Sequence, residues 1–192
     1  MLLDAHRFAA AAPPPAGPDL EAGLTPGGII PAGETFNPSV LDRSGPAVFA
    51  VDFVGLAVDP GGQSMIVEMG QGAQGAYAGL EPDGRLMVRY GVGSTRWDNR
   101  TTYYFSDQPL SGDGTLVVEL DRAVSSLRVW WQGAPLPGTT TPATNIPNTW
   151  TGAETASYLT PAENAVGNEE FTRIVQYTSA SELRYYPDRI AQ

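Results

Sequence analysis

The sequence predicts an all-β chain: an antiparallel two-sheet jelly-roll sandwich with an extended N-terminal arm. Three observations carry this. Residues 115–133 (TLVVELDRAVSSLRVWWQG) alternate with period two on both sides of a polar turn, the pattern of a half-buried antiparallel hairpin. The 22 Gly and 17 Pro of the 192-residue chain recur at turn-like intervals, which favours many short strands. Residues 1–45 stand apart from the rest, with seven Pro, six Gly and eight Ala.

The arm, residues 1–45, includes Pro13-Pro14-Pro15 and Pro26-Gly27-Gly28. Its few large apolar side chains cannot offset chain entropy in isolation, so an extended, polyproline-like segment is expected. The sandwich, residues 46–192, opens with 48–58, where Phe49, Val51 and Phe53 share one face. Pro60-Gly61-Gly62 turns the chain into a strand at 64–69, and a glycine-rich connection is expected over 70–75. Glu81-Pro82-Asp83-Gly84 joins strands at 76–80 and 85–90, because Pro fixes φ and Gly accepts the left-handed region. A strand at 101–105 leads to the Ser111-Gly112-Asp113-Gly114 turn and then the 115–133 hairpin. In that hairpin Leu116, Val118, Leu120 and Val129 are expected in the core with Phe53. Val117, Glu119 and Asp121 take the other, solvated face. Residues 134–152 read as a long surface connection, and 171–177 and 182–186 as closing strands. The total is about ten strands, in keeping with a two-sheet jelly roll.

The 115–133 hairpin, with its Asp-containing turn and closing Gln132-Gly133, resembles a hairpin of laminin-G-like and concanavalin A-like jelly rolls. Those families usually close it with Asp-Gly or Asn-Gly. The LMVRY strand after Pro82-Asp83-Gly84 and the final Leu183-Arg184-Tyr185-Tyr186 follow the same order. The resemblance spans residues 46–187 and rests on strand order and turn placement. It implies a concanavalin A-like sandwich.

Composition excludes several functions. The net charge is −10 and all 11 cationic residues are Arg, without a basic cluster, which argues against nucleic acid as a partner. No apolar run approaches the ~20 residues that span a bilayer, so no membrane insertion is expected. Asp4, His6 and Arg7 interrupt the N-terminal apolar run, which leaves no adequate signal-peptide core. There is no Cys, and His6 is the single histidine, so thiolate or histidine metal sites and a Ser-His-Asp triad are excluded from the sandwich. Oxygen-donor calcium ligands among Asp59, Asp98, Asn99, Asp107 and Asp113 all sit near Gly or Pro turns, where Asp and Asn are common for conformational reasons. No metal and no cofactor are expected.

Some β-glucanases of this fold carry Glu-x-Asp-x-x-Glu. Here the run reads Glu119-Leu-Asp121-Arg-Ala-Val124, so the second catalytic carboxylate is missing and no enzyme is expected. The aromatic residues suit carbohydrate better. Trp97, Tyr104, Trp130 and Trp150 are candidate platforms for sugar rings, together with Tyr103, and Asp98 and Arg100 would supply polar contacts beside Trp97. In the arm, Leu2, Leu3, Phe8, Leu20, Leu24, Ile29, Ile30 and Phe36 are candidate contacts to a partner surface.

Phage virion proteins resemble this layout of arm and lectin-like sandwich. The resemblance implies a structural or attachment component of a phage-like virion: a capsid decoration, head fibre or tail fibre protein. Its arm would bind other virion proteins or sister subunits in a homo-oligomer, and its sandwich a host surface glycan. The alternatives are a soluble carbohydrate-binding module and, behind that, a polysaccharide-active enzyme.

Overall fold

The computed structural model describes residues 28–30, 35–36, 47–57, 64–71, 74–92, 101–121, 124–144, 156–159, 173–174 and 177–187. The long period-two runs become the long strands: β3 (Ala47–Leu56), β8 (Gly112–Asp121) and β9 (Ser126–Trp131). They pair antiparallel, β3 to β8 and β8 to β9. With β1 (Gly28–Ile30), β10 (Ala134–Pro135), β14 (Ser179–Ala180) and β15 (Leu183–Pro187) they build a seven-stranded sheet of order β1-β15-β3-β8-β9-β10, β14 also pairing with β3.

The second sheet centres on a meander of β4 (Ser64–Gln71), β5 (Gln74–Leu80), β6 (Arg85–Val92) and β7 (Thr101–Pro109). β11 (Gly138–Thr141) joins at β7, while β12 (Ala156–Tyr158) and β2 (Thr35–Phe36) extend it beyond β4, and the two-residue β13 (Arg173–Ile174) pairs parallel with β4. This is the expected all-β sandwich of two sheets.

The β5–β6 hairpin follows the chemistry of its turn. Gly84 sits at φ +85°, its N–H donates to the Glu81 carbonyl at 2.8 Å, and the Glu81 N–H donates to the Arg85 carbonyl at 2.9 Å. Asp83 accepts from the Arg85 backbone N–H at 3.1 Å and from its Nε at 2.7 Å. Gln132 and Gly133, between β9 and β10, both lie at positive φ (54° and 76°), the left-handed pair that a two-residue hairpin requires.

Phe49, Val51 and Phe53 of β3 and Leu116, Val118 and Leu120 of β8 face Ala78, Leu80, Leu86, Val88 and Tyr90 across the sandwich. Leu116, Val118, Leu120, Val129 and Phe53 are all buried, as expected. Across the top of the first sheet, Asp52 of β3 takes hydrogen bonds from Thr115 of β8 and Arg184 of β15, the latter at 3.1 Å.

Four expectations are corrected. The second face of β8 is not solvated: Val117 and Glu119 are buried, and Arg128 Nε donates to Glu119 Oε1 at 2.6 Å from the in-register position on β9. A cross-strand guanidinium neutralises the carboxylate that would otherwise need water. Residues 134–141 are largely exposed, as expected of a surface connection, but they are not a loop. They cross between the sheets as β10 and β11, held by the Leu136 N–H on the Val129 carbonyl (2.8 Å) and by the Asp107 N–H on the Pro137 carbonyl (2.9 Å). Glycines 70 and 75 lie inside β4 and β5 rather than in a connection. Finally, 28–30 and 35–36, expected within an extended arm, form ladder pairs in their own sandwich: Ile29 opposite Arg184, Ile30 opposite Leu183, Phe36 opposite Ala156. Edge strands supply the backbone partners that an isolated extended segment lacks. The rest of 1–45 lies outside the described residues.

Candidate functional site

The aromatic candidates do not converge. Tyr104 points into the sandwich at 3% exposure, and its hydroxyl donates to the Leu136 carbonyl at 2.8 Å and the Pro137 carbonyl at 3.2 Å. Burial and the nearby Asp107 push its pKa up to about 12. It pins the crossover between the sheets and offers no face to a sugar, which corrects its assignment as a stacking platform. Trp130 lies on the opposite side of the molecule, on the outer face of the seven-stranded sheet, packed with Val48, Ala50, Val117 and Tyr186. Only 8% of it is exposed, and the Arg128 guanidinium sits 5.5 Å from its ring centre. It is therefore a packing residue and not an open platform. Trp97, Asp98, Arg100 and Trp150 lie outside the described residues, as do Leu2, Leu3, Phe8, Leu20 and Leu24. For Ile29, Ile30 and Phe36 the backbone pairing given above is what is described.

A different constellation stands out on the outer face of the eight-stranded sheet. Register aligns Glu68 of β4, Tyr77 of β5, Arg89 of β6 and Tyr103 of β7 as direct neighbours. Successive side chains of a strand point to opposite faces. Because Ala78, Val88 and Tyr104 face the core, this row faces away from it. Glu68, Tyr77 and Arg89 are buried, at 2%, 2% and 5% exposure, and Tyr103 is half-buried. The Arg89 guanidinium lies 5.6 Å from the Tyr77 ring centre, a cation–π arrangement. Met65, Met87 and Phe105 pack beside Tyr77, and Tyr103 meets Phe105 edge-on at 6.0 Å.

Glu68 is the unusual member. Neither carboxylate oxygen has a hydrogen-bond partner among the described residues. Burial pushes its pKa up to about 7, against the opposing pull of Arg89. A buried acceptor left unfilled costs ~1–3 kcal/mol, more if it is charged, so the row holds an unspent capacity to accept hydrogen bonds. Chemically it presents a carboxylate acceptor, a guanidinium donor and phenol rings side by side.

Sequence reasoning passed over Glu68 and Arg89. The signal that could have found them is a lone charge inside an apolar strand, SMIVEM and LMVRY, since buried charges need a partner or a purpose. Among the described residues no group of three or more acidic or His side chains could hold a metal ion. The expected calcium candidates Asp107 and Asp113 are exposed, and Asp113 accepts from the Gly55 N–H at 2.8 Å, a turn role.

No protein-family model and no curated protein matches the sequence. Solved structures do match its shape. The CBM40 of the Ruminococcus gnavus IT-sialidase superimposes with a TM-score of 0.58 at 10% identity, over 85% of this chain and 91% of that one. The NanB sialidase of Streptococcus pneumoniae gives 0.58 at 12% identity, over 88% of this chain and 27% of the sialidase. The receptor-binding domain of a botulinum neurotoxin C/D mosaic serotype gives 0.51 at 6%, over 77% and 34%. The likeness is one of fold. This chain thus spans about a third or less of the toxin and NanB chains, and nearly all of the CBM40 domain.

Proposed function

We propose that the chain is a carbohydrate-binding module, with glycan approaching the Glu68–Tyr77–Arg89–Tyr103 row from its half-buried Tyr103 end. The observation that carries this is the unfilled Glu68 carboxylate beside a guanidinium and two phenols. Sugar hydroxyls donate to carboxylates, sugar oxygens and acid groups accept from Arg, and the apolar face of a pyranose ring packs on aromatic rings. The shape match to a CBM40, one structure of which is bound to α2,3 sialyllactose, supports the same reading. No catalysis is proposed: Glu119 is tied up in an ion pair with the half-exposed Arg128 and Asp121 is followed by no second carboxylate. The test is a mixed glycan array, with lactose and α2,3-sialyllactose titrated calorimetrically. The full chain should bind, and Arg89→Ala should weaken binding at least tenfold, equivalent to about 1.4 kcal/mol, because a charge-assisted hydrogen bond is lost. Absence of any glycan signal, or an unaffected Arg89→Ala variant, sinks the reading.

A virion setting is a second proposal, supported by the Pro/Gly/Ala-rich composition of the arm. It makes 1–27 the anchoring segment, since 28–30 belong to the sandwich. Deleting 1–27 should then abolish incorporation into particles while far-ultraviolet dichroism keeps its β signature. Normal incorporation would rule the anchor out.

A further inference from the structure

Alternation puts Trp131 on the core-facing side of β9 and Trp130 on the outer side, yet Trp130 is the buried one and Trp131 stays half-buried. The reason lies across the ladder, at the start of β8. Gly114 leaves room there for the indole: a Cβ on it would sit 2.8 Å from Trp131 Cζ2 and 2.6 Å from Gln132 Cγ. Trp131 therefore rests partly on bare backbone at the end of the sandwich, and packs on the core with the remainder of its ring.

Polar groups gather round that indole. Exposed Gln132 donates from Nε2 to the Asp113 carbonyl, and its backbone N–H donates to the Thr115 carbonyl at 3.0 Å. Exposed Asp113 accepts from the Gly55 N–H through Oδ1 at 2.8 Å, which leaves its second carboxylate oxygen available. Open space adjoins it, since a side chain built on Gly112 would meet nothing within 4 Å. Val54, next to Gly55, is 45% exposed. Half-buried Tyr177 meets Phe53 edge-on at 6.2 Å, and Phe53 lies opposite Gly114 in register. Ring surface, an aliphatic side chain, a carboxylate and an amide thus share one solvent-facing end. Their hydrogen bonds tie the β9–β10 turn, the start of β8 and the end of β3 together, so the groups are ordered before any ligand arrives.

We propose that this end of the sandwich is a second carbohydrate site, selective for neutral sugars and independent of the Glu68–Arg89 row. A pyranose ring lays its apolar C–H face on Trp131 while its hydroxyls donate to the Asp113 carboxylate and to Gln132 Oε1. The selectivity follows from charge. No basic residue occurs in segments 53–57, 111–115, 131–138 or 177–182, and the whole chain carries −10. An acidic sugar brings a carboxylate that finds no cation here and is repelled by Asp113.

The experiment titrates the full chain calorimetrically with lactose, maltotetraose and cellotetraose, and with α2,3-sialyllactose for comparison. Asp113→Asn keeps an oxygen for the Gly55 N–H and removes the charge. Trp131→Leu keeps apolar packing and removes the ring face. At least one neutral probe should bind. Asp113→Asn should weaken it at least about tenfold, the scale of a hydrogen bond to a charged group. Trp131→Leu should weaken it roughly three- to tenfold, the scale of an aromatic contact. Val124→Ala, in the turn at the far end of β8, should bind like the parent. Exposed Asp113 can be changed without emptying the core, so Asp113→Asn should keep the parent's melting temperature and decides the matter if Trp131→Leu does not fold. If the parent binds none of the three neutral probes, the second site is wrong, whatever sialyllactose does at the row. If Arg89→Ala abolishes neutral binding and Asp113→Asn leaves it intact, the row alone carries the glycan and the second site is again wrong. If Asp113→Asn weakens binding and Arg89→Ala does not, the second site stands and the row reading falls.

Discussion

Leu120→Ala is expected to lower the unfolding free energy by about 2–5 kcal/mol, the range for emptying a buried leucine site. Leu120 is 2% exposed and sits in β8, with Ala47 of β3 on one side and Leu127 of β9 on the other. Both neighbours are held by backbone ladders, so the walls cannot close over the hole. The site also lines an existing apolar cavity of about 20 Å³ together with Phe49, Ile66, Val88, Leu116 and Val118. A space of that size with no polar lining gains nothing from water, and the truncation enlarges it. These features put the effect in the upper half of the range. Urea unfolding followed by tryptophan fluorescence measures it, with Val124→Ala as the control. Val124 is 67% exposed, and its truncation should stay within about 0.5 kcal/mol. A Leu120→Ala loss below about 1 kcal/mol would mean the sandwich is not packed as described.

Glu68→Gln should convert a pH-dependent stability into a flatter one. Burial raises the Glu68 pKa from an ordinary 4.5 to about 7, so between those values the folded chain holds a proton that the unfolded chain has released. Stability from this group is complete below about 4.5 and is lost as pH rises through about 7. At 1.36 kcal/mol per unit, the loss amounts to roughly 3 kcal/mol. Arg89 is the charged neighbour that limits it. Asp52 acts in the opposite sense. Burial works against its ionised form, but hydrogen bonds from Thr115 and Arg184 prevail and hold its pKa below the usual carboxylate value. Its stabilisation is therefore lost only at more acid pH. Comparing variant with parent isolates Glu68: the variant should gain most at pH 8.5 and little at pH 5. Equal differences in urea midpoint at the two pH values would contradict the buried, unfilled carboxylate.

The sandwich was legible because period two and turn chemistry are local signals. The hairpin around residues 121–126, the Pro82-Asp83-Gly84 turn and the inward set from Phe53 to Val129 all follow from neighbours in sequence. The crossover at 134–141 was not, because its Pro and Thr residues carry no alternation and are held by the distant Val129 carbonyl and by Asp107. The site was hidden for the same reason. Glu68, Tyr77, Arg89 and Tyr103 are unremarkable in their own strands and become a row only through the register of four strands. Counting tryptophans pointed to Trp130, whose face the sheet and Arg128 already occupy.

The Asp52–Arg184 contact joins side chains 132 residues apart in sequence, and it marks the seam where β15 is zipped onto β3. A chain emerging from the ribosome at 5–20 residues per second would wait on the order of ten seconds between making one side of that seam and the other. Throughout that interval β3 has one flank that β8 alone cannot cover, and β3 carries Phe49, Val51 and Phe53. Closure by so distant a segment also raises the entropic barrier to folding, so refolding should run in the slow regime of sandwich proteins. The nascent chain is then most vulnerable to intermolecular strand pairing just before its last strand is complete.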